Sequence, residues 1–113
     1  MANTNFMAGV AELMVLRLVQ DREMYGYEIV AAIREETASV VRAGEGVIYP
    51  VLHGLEKDGA LAARRKTVNG RSRVYYSLTP KGRRRLDGLT GDWEALAEAI
   101  AAVLKGRRHA PAV

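Results

Sequence analysis

Two runs of alternating residues joined by Asn69-Gly70 constrain the fold of this chain more than any other feature. Leu61–Val68 and Arg71–Leu78 alternate between apolar and polar side chains, the period of a half-buried β-strand. Asn-Gly favours a two-residue type I′ turn, because both central residues of that turn need a positive φ. Such a turn fixes the register, so Lys66 is predicted to face Arg73. The sequence therefore predicts an antiparallel β-hairpin.

The alternation gives the two faces of this hairpin different chemistry. One predicted face carries Leu61, Ala63, Val74, Tyr76 and Leu78, and the other carries Arg64, Lys66, Arg71, Arg73 and Tyr75. The pair Lys66–Arg73 places like charges opposite each other, which destabilises a hairpin unless an anion lies between them. This clash predicts that the polar face binds a polyanion.

The basic residues of the chain are concentrated in and just after the hairpin. Residues 63–85 contain nine Lys or Arg and no Asp or Glu, whereas residues 1–62 contain five basic and nine acidic residues. The net charge of +4 over 113 residues conceals this segregation. A basic block in an otherwise slightly acidic protein indicates a polyanionic partner such as nucleic acid. A solvated charged face is the alternative on charge alone.

Three predicted helices precede the hairpin. The first, Phe6–Gln20, is apolar on more than one face, which is typical of a helix in a core or at a subunit contact. The second follows Tyr25-Gly26 and has apolar residues at helical spacing up to Ile33. The segment Ser39–Gly46, with two glycines, is predicted to be a loop.

The third predicted helix runs from about Val47 to Asp58 and ends at Gly59. Pro50 is expected in its first turn, where the missing N–H costs nothing, and this sets the predicted start. Its predicted core stripe is Ile48, Val51, Leu52 and Leu55. The side chains predicted to face away from the stripe, four residues apart, are Tyr49, His53 and Lys57.

A long helix is predicted to begin at Thr79-Pro80 and to extend to about Lys105. Its apolar residues follow the alternating spacing of three and four of a heptad seam. They are Leu86, Leu89, Trp93, Leu96, Ile100 and Val103. A helix of about 25 residues is roughly 37 Å long, more than a domain of this size covers alone. We therefore expect a homodimer through this seam; packing within one subunit is the alternative.

This order of elements is that of a mainly α (α+β) fold, a winged helix-turn-helix with a C-terminal dimerisation helix. Residues 1–78 are interpreted as the DNA-binding domain, 79–105 as the dimerisation helix and 106–113 as a flexible tail. In such folds the third helix enters the major groove, while the hairpin, or wing, lies along the backbone or minor groove.

Three segments resemble the PadR family of bacterial transcriptional regulators. They are Tyr25-Gly26-Tyr27-Glu28-Ile29, the stretch from Gly46 to Gly59 (GVIYPVLHGLEKDG), and the stretch from Gly70 to Gly82 (GRSRVYYSLTPKG). The resemblance covers about residues 8–105, and the single C-terminal helix matches the smaller subfamily. It implies a homodimeric repressor that binds a pseudo-palindromic operator on double-stranded DNA and releases it on sensing a small molecule.

The resemblance also implies roles for individual residues. Tyr49 is expected near the DNA backbone, and the wing-tip pair Gly70-Arg71 near the minor groove. Val47 stands where the family has Thr or Ser, so helix capping is expected to be lost or passed to Gly46, and Ser72 replaces a frequent Pro or basic residue. The full set expected to contact DNA is Tyr25, Val47, Tyr49, His53, Lys57, Arg64, Lys66, Arg71 and Arg73.

Trp93, the single tryptophan, lies on the predicted seam. It is either an interface anchor or, as multidrug-sensing relatives imply, half of a site that stacks a planar aromatic ligand between two subunits. Gly9, Leu13 and Leu16 of the first helix are expected to line that site.

Several functional classes have no support in the sequence. The absence of Cys excludes disulfides and thiolate zinc sites, and favours a reducing cytoplasm. The two histidines, His53 and His109, belong to no cluster with metal-ligand spacing, so we expect no enzyme and no cofactor. No apolar run is long enough for a membrane span. A sequence-independent architectural DNA-binding protein and a winged-helix protein-interaction module remain as alternatives.

Overall fold

The computed structural model describes residues 4–106. Within them the chain forms four helices and a three-stranded antiparallel sheet, which confirms the predicted α+β class. The elements are α1 (Thr4–Asp21), β1 (Met24–Tyr25), α2 (Gly26–Glu36), α3 (Glu45–Lys57), β2 (Leu61–Val68), β3 (Arg71–Leu78) and α4 (Pro80–Leu104). Helices α2 and α3 form the helix-turn-helix, and β2 with β3 forms the wing.

The wing has the predicted bounds and register. Lys66 pairs with Arg73 and Leu61 with Leu78, and the turn residues Asn69 and Gly70 have φ values of 51° and 77°. The sequence analysis missed β1, which pairs with β3 and gives the strand order β1-β3-β2. Two residues are too few to show a period, but β1 fastens the middle strand of the sheet to the start of α2.

Helix α3 begins two residues before the predicted start, so the predicted loop ends at Gly44. The carbonyl oxygen of Gly44 accepts hydrogen bonds from the N–H groups of Val47 and Ile48, both at 3.0 Å. Pro50 is consequently the sixth residue of α3, and the expectation that it lies in the first turn was wrong. The proline removes one helical donor, whose acceptor would be the carbonyl of Gly46, an exposed residue.

The core lies between α1, α2, α3 and the inner face of the sheet. The largest fully buried side chains come from the three helices: Val15, Leu16, Ile29, Ile33, Ile48 and Leu52. Leu61 and Tyr76 close the core from the sheet, in agreement with the predicted apolar face. These contacts position α3 relative to the wing.

Helix α4 divides into two parts. Leu86 is buried in the core of its own subunit and Leu89 is half-buried. These two seam residues therefore pack within one subunit, which was the alternative to a dimer contact. Beyond them the helix leaves the domain, and Trp93, Leu96, Ile100 and Val103 are 42%, 50%, 47% and 78% exposed. The apolar seam is thus exposed only from Trp93 to Val103, in its C-terminal half.

The predicted flexible tail begins at Gly106, the last described residue, and the rest of it lies outside the described residues. None of the helices in the described part of the chain is long and apolar enough to cross a membrane.

Candidate nucleic-acid interface

A groove of about 460 Å³ lies between the start of α2, the outer side of α3 and the strand β3. It is lined by Tyr25, Gly26, Tyr27, Tyr49, His53, Arg71, Arg73, Val74 and Tyr76. Five of these nine residues, Tyr25, Tyr49, His53, Arg71 and Arg73, belong to the set expected to contact DNA. Residues that are distant in the sequence therefore converge on one surface beside α3.

Tyr49 covers the start of α2. A Cβ atom at Gly26 would lie 2.5 Å from the Tyr49 hydroxyl oxygen and 2.6 Å from two of its ring carbons, so only glycine leaves room for this ring. Tyr49 is consequently half-buried and does not face away from the core as His53 and Lys57 do. Its ring lies 6.2 Å from that of His53, measured between centroids, and the two rings form one wall of the groove.

Tyr76 forms part of the opposite wall. Burial raises the pKa of its phenol, and the nearby Glu56 carboxylate acts in the same direction. A phenol is already protonated at neutral pH, so the shift leaves Tyr76 neutral there.

The outer face of the wing carries a cluster of two tyrosines and two cations. The rings of Tyr25 and Tyr75 meet edge to face at 5.4 Å. The Arg73 guanidinium lies 4.2 Å from the Tyr25 ring centroid, and the Lys66 ammonium lies 4.6 Å from that of Tyr75. Tyr75, predicted on this polar face, is buried by these neighbours. The cluster fixes Arg73 at the edge of the groove.

Glu23 supplies the anion that the sequence analysis expected from a partner. Its carboxylate accepts hydrogen bonds from Arg64, at 3.1 Å, and from Lys66. These hydrogen bonds, with Lys66 the larger cause, lower the pKa of Glu23, so at neutral pH it is ionised and both pairs are formed. The like charges of Lys66 and Arg73 are thus relieved within the chain, and their clash was a wrong reason to infer a polyanion.

Arg71 and Arg73 differ from Arg64 and Lys66 in this respect. Among residues 4–106, no acidic side chain forms an ion pair with either arginine. Arg71 is exposed at the tip of the wing, and Arg73 is partly covered by Tyr25. Both arginines are therefore available to an anionic ligand, Arg71 at the wing tip and Arg73 at the groove.

Two further residues expected at the interface lie outside the groove. Val47 is half-buried against the core, and its N–H bonds to Gly44, which caps α3 in place of the expected Gly46. Lys57 is exposed in the last turn of α3. Sequence reasoning also missed Glu23, Gly26 and the exposed Tyr27 as interface residues; the motif Tyr25-Gly26-Tyr27 was the available signal for the last two.

A second cleft, of about 250 Å³, lies between α1 and α4. It is lined by Gly9, Val10, Leu13, Leu89, Asp92, Trp93 and Leu96. Three of the four residues expected to hold a ligand are among them. Leu16 is not, because it is fully buried in the core one turn further along α1, and its assignment to the ligand site was wrong.

Comparison with known proteins gives a consistent result. Residues 15–88 match the model of the family described as "Transcriptional regulator PadR-like family". The transcriptional regulator Rv3488 of Mycobacterium tuberculosis is 36% identical over 104 residues, which are 92% of this chain and 92% of that protein.

Solved structures show the same similarity. The protein smu.1704 of Streptococcus mutans superimposes with a TM-score of 0.80 at 32% identity, over 92% of this chain and 94% of that one. A PadR-like transcriptional regulator of Bacillus cereus superimposes with a TM-score of 0.77 at 27% identity, over 90% and 98% of the two chains.

Proposed function

This chain belongs to the PadR-like family of transcriptional regulators, and on that premise we propose that it is a cytoplasmic repressor that binds a pseudo-palindromic DNA operator as a homodimer. Regulators of this family bind DNA and typically dimerise. The observation that carries the proposal is the groove beside α3, the proposed recognition helix. There Tyr49 and His53 lie with Arg71 and Arg73, neither of which pairs with an acidic side chain of residues 4–106. A helix that reads bases and arginines that hold phosphates are the two parts such a regulator needs.

The exposed half of α4 supports the dimer. Trp93, Leu96, Ile100 and Val103 form an apolar stripe along one side of a helix that leaves its own domain. The radius of gyration is 17.0 Å, against about 13 Å for a compact protein of this length. A second copy of the chain covers such a stripe and gives two recognition helices, so we expect half-sites about one helical turn apart.

Arg71→Ala and Arg73→Ala should each weaken binding to specific and to unrelated DNA alike. Phosphate contacts carry no sequence information, and each lost contact flattens the dependence of log K on log salt by about 0.9. The measurement is a titration of labelled duplexes by fluorescence anisotropy at several salt concentrations. Arg17→Ala, which removes a cation of α1 that is paired with Asp21, should leave the slope unchanged. Unchanged slopes in both wing variants would refute the role of the wing.

A footprint in the presence of excess bulk DNA separates this function from its alternatives. A repressor protects one sequence despite the competitor, whereas an architectural protein is displaced from it. A protein-interaction module binds no DNA even at low salt, where electrostatic attraction is strongest.

We also propose that the cleft between α1 and α4 binds a planar aromatic effector. Trp93 offers an exposed indole face, Leu13 and Leu96 provide apolar walls, and Asp92 favours a cationic compound. In the dimer a ligand held there shifts the relative positions of the two subunits, and so the spacing of their recognition helices.

Planar cationic dyes should therefore quench the fluorescence of Trp93 and lower operator affinity. The emission reports on this one position, because the chain has a single tryptophan. Calorimetric titration should show dye binding to the native protein and its loss in Trp93→Ala. Binding of equal strength in the variant, or no binding to the native protein, would mean that Trp93 serves only in packing.

A further inference from the structure

The ion pairs of Glu23 lie where a DNA-binding wing should offer positive charge. Arg64 and Lys66 stand on the outer face of β2, and Lys66 is directly opposite Arg73, which lines the groove. The Glu23 carboxylate reaches them from the segment just before β1 and takes a hydrogen bond from each. The Glu23 carboxylate thus pairs with two cations on the face of the wing that also carries Arg73.

Stability alone does not account for this arrangement. The pair with Arg64, whose side chain is 67% exposed, contributes little to folding. The Lys66 and Glu23 side chains are 33% and 26% exposed, so their pair contributes more. The wing is already held by its full ladder of backbone pairs with β3, by the turn at Asn69-Gly70 and by the tyrosines of its outer face. Besides any contribution to folding, the carboxylate therefore lowers the positive potential of the wing.

A carboxylate in this position competes with DNA phosphate. It offers the same charge-assisted hydrogen bonds to Arg and Lys that a phosphate oxygen does. Glu23, Arg64 and Lys66 together carry one net positive charge, and a phosphate that reached the two cations would also be repelled by the carboxylate. We propose that Glu23 acts as an internal substitute for phosphate, which withholds Arg64 and Lys66 from DNA and lowers the sequence-independent affinity of the wing.

The inference rests on the proposed DNA-binding function and assigns to Glu23 a role in it. Because phosphate contacts are blind to sequence, the effect is a lower affinity for all duplexes. Arg71 and Arg73, which Glu23 does not contact, keep their part in binding. On this face of the wing the cations of β2, Arg64 and Lys66, are thus attenuated by Glu23, and Arg71 and Arg73 of β3 are not.

Glu23→Gln should tighten binding to an unrelated duplex. Non-specific affinities spread over six to ten phosphate contacts correspond to roughly fourfold per contact, so the gain expected is about fourfold for each freed cation that reaches a phosphate, with a salt dependence steeper by about 0.9 for each. Glu98→Gln makes the same change of charge at an exposed position of α4 and should alter neither quantity. An equal salt dependence of DNA binding in Glu23→Gln and the native protein would overturn the proposal. A gain in DNA affinity of the same size in Glu98→Gln would also overturn it.

A double-mutant cycle separates masking from a structural effect. Lys66→Gln should change DNA affinity by less than about twofold in the native protein, where Lys66 is occupied, but should weaken it about fourfold in Glu23→Gln, where it is free. An equal loss in both backgrounds would refute masking. Thermal unfolding of each variant, with melting temperatures within a few degrees of the native protein, confirms that the comparison is between folded proteins.

Elution from immobilised heparin distinguishes a failure of this inference from a failure of the proposed function. Heparin is a polyanion without bases, so it reports only the cations that are available. If the native protein binds no DNA but Glu23→Gln elutes from heparin at higher salt than Glu98→Gln, masking holds and the DNA-binding function is wrong. If the native protein binds DNA and the two variants elute together, the function holds and masking is refuted.

Discussion

Replacing Gly82 with alanine should destabilise the protein by about 3 kcal/mol and lower its melting temperature by about 10 °C or more. A Cβ atom at this position would lie 2.1 Å from the carbonyl oxygen of Ala60 and 2.7 Å from Leu78 Cδ1. The oxygen belongs to the backbone that follows α3 and cannot move alone. The first turn of α4 would therefore have to withdraw from the domain.

The surrounding hydrogen bonds make this withdrawal costly. The Thr79 hydroxyl donates to the carbonyl of Gly59 at 2.6 Å and accepts from the N–H of Gly82 at 3.0 Å. The N–H of Thr79 donates to the carbonyl of Ala60 at 3.2 Å. These bonds join the end of α3 to the start of α4, so strain at Gly82 reaches the recognition helix.

Gly91→Ala provides the matched control for thermal unfolding. Gly91 is exposed in the same helix, and a Cβ atom there meets nothing within 4 Å. The substitution should stabilise the protein by up to about 1 kcal/mol, the usual difference between alanine and glycine in a helix. A Gly82→Ala protein with a melting temperature equal to or above that of the native protein would contradict the close approach of α4 to the end of α3.

Leu96→Glu and Ile100→Glu should each convert the proposed dimer into monomers. A buried, unpaired charge costs about 3–5 kcal/mol, and a symmetric interface contains the substitution twice. The loss of about 6 kcal/mol or more corresponds to a dimer dissociation constant raised roughly ten-thousandfold. Both side chains are about half exposed in the single chain, so neither variant should prevent folding of the domain.

Sedimentation velocity at micromolar protein measures this effect. Ala95→Glu adds the same charge on the side of α4 that faces away from the apolar stripe, at an exposed residue, and should remain a dimer. Stable dimers in both Leu96→Glu and Ile100→Glu would show that the interface lies elsewhere. The exposure of the apolar stripe at the end of α4 would then be unexplained.

Local patterns in the sequence predicted much of this fold. The period of two and the Asn-Gly turn predicted both strands of the wing with their register, and Thr79-Pro80 predicted the start of α4, because in each case the determinant lies within a few residues. The heptad spacing predicted the length of α4. It could not show that Leu86 is buried in its own subunit, because periodicity identifies an apolar face and does not identify what covers it.

The errors arose where contacts between residues distant in the sequence determine the structure. Glu23 is a single acid between elements, and only the pairing of β1 with β3 brings it to Arg64 and Lys66. The loop before α3 turns through positive φ values at Ala38 and Ser39, which their residue types do not favour. Several residues that line the groove could be predicted from the sequence, but the shape of the groove depends on the Tyr49 ring lying across Gly26.

In the proposed function, two copies of the groove read two half-sites of one DNA site. The most direct test is a hydroxyl-radical footprint on a duplex selected by the protein from a random pool. We expect two equal protected patches on one face of the duplex, centred about one helical turn apart, with the protection lost in a double variant of Arg71→Ala and Arg73→Ala. A single patch, uniform protection along the duplex, or a footprint that survives in the double variant would contradict it.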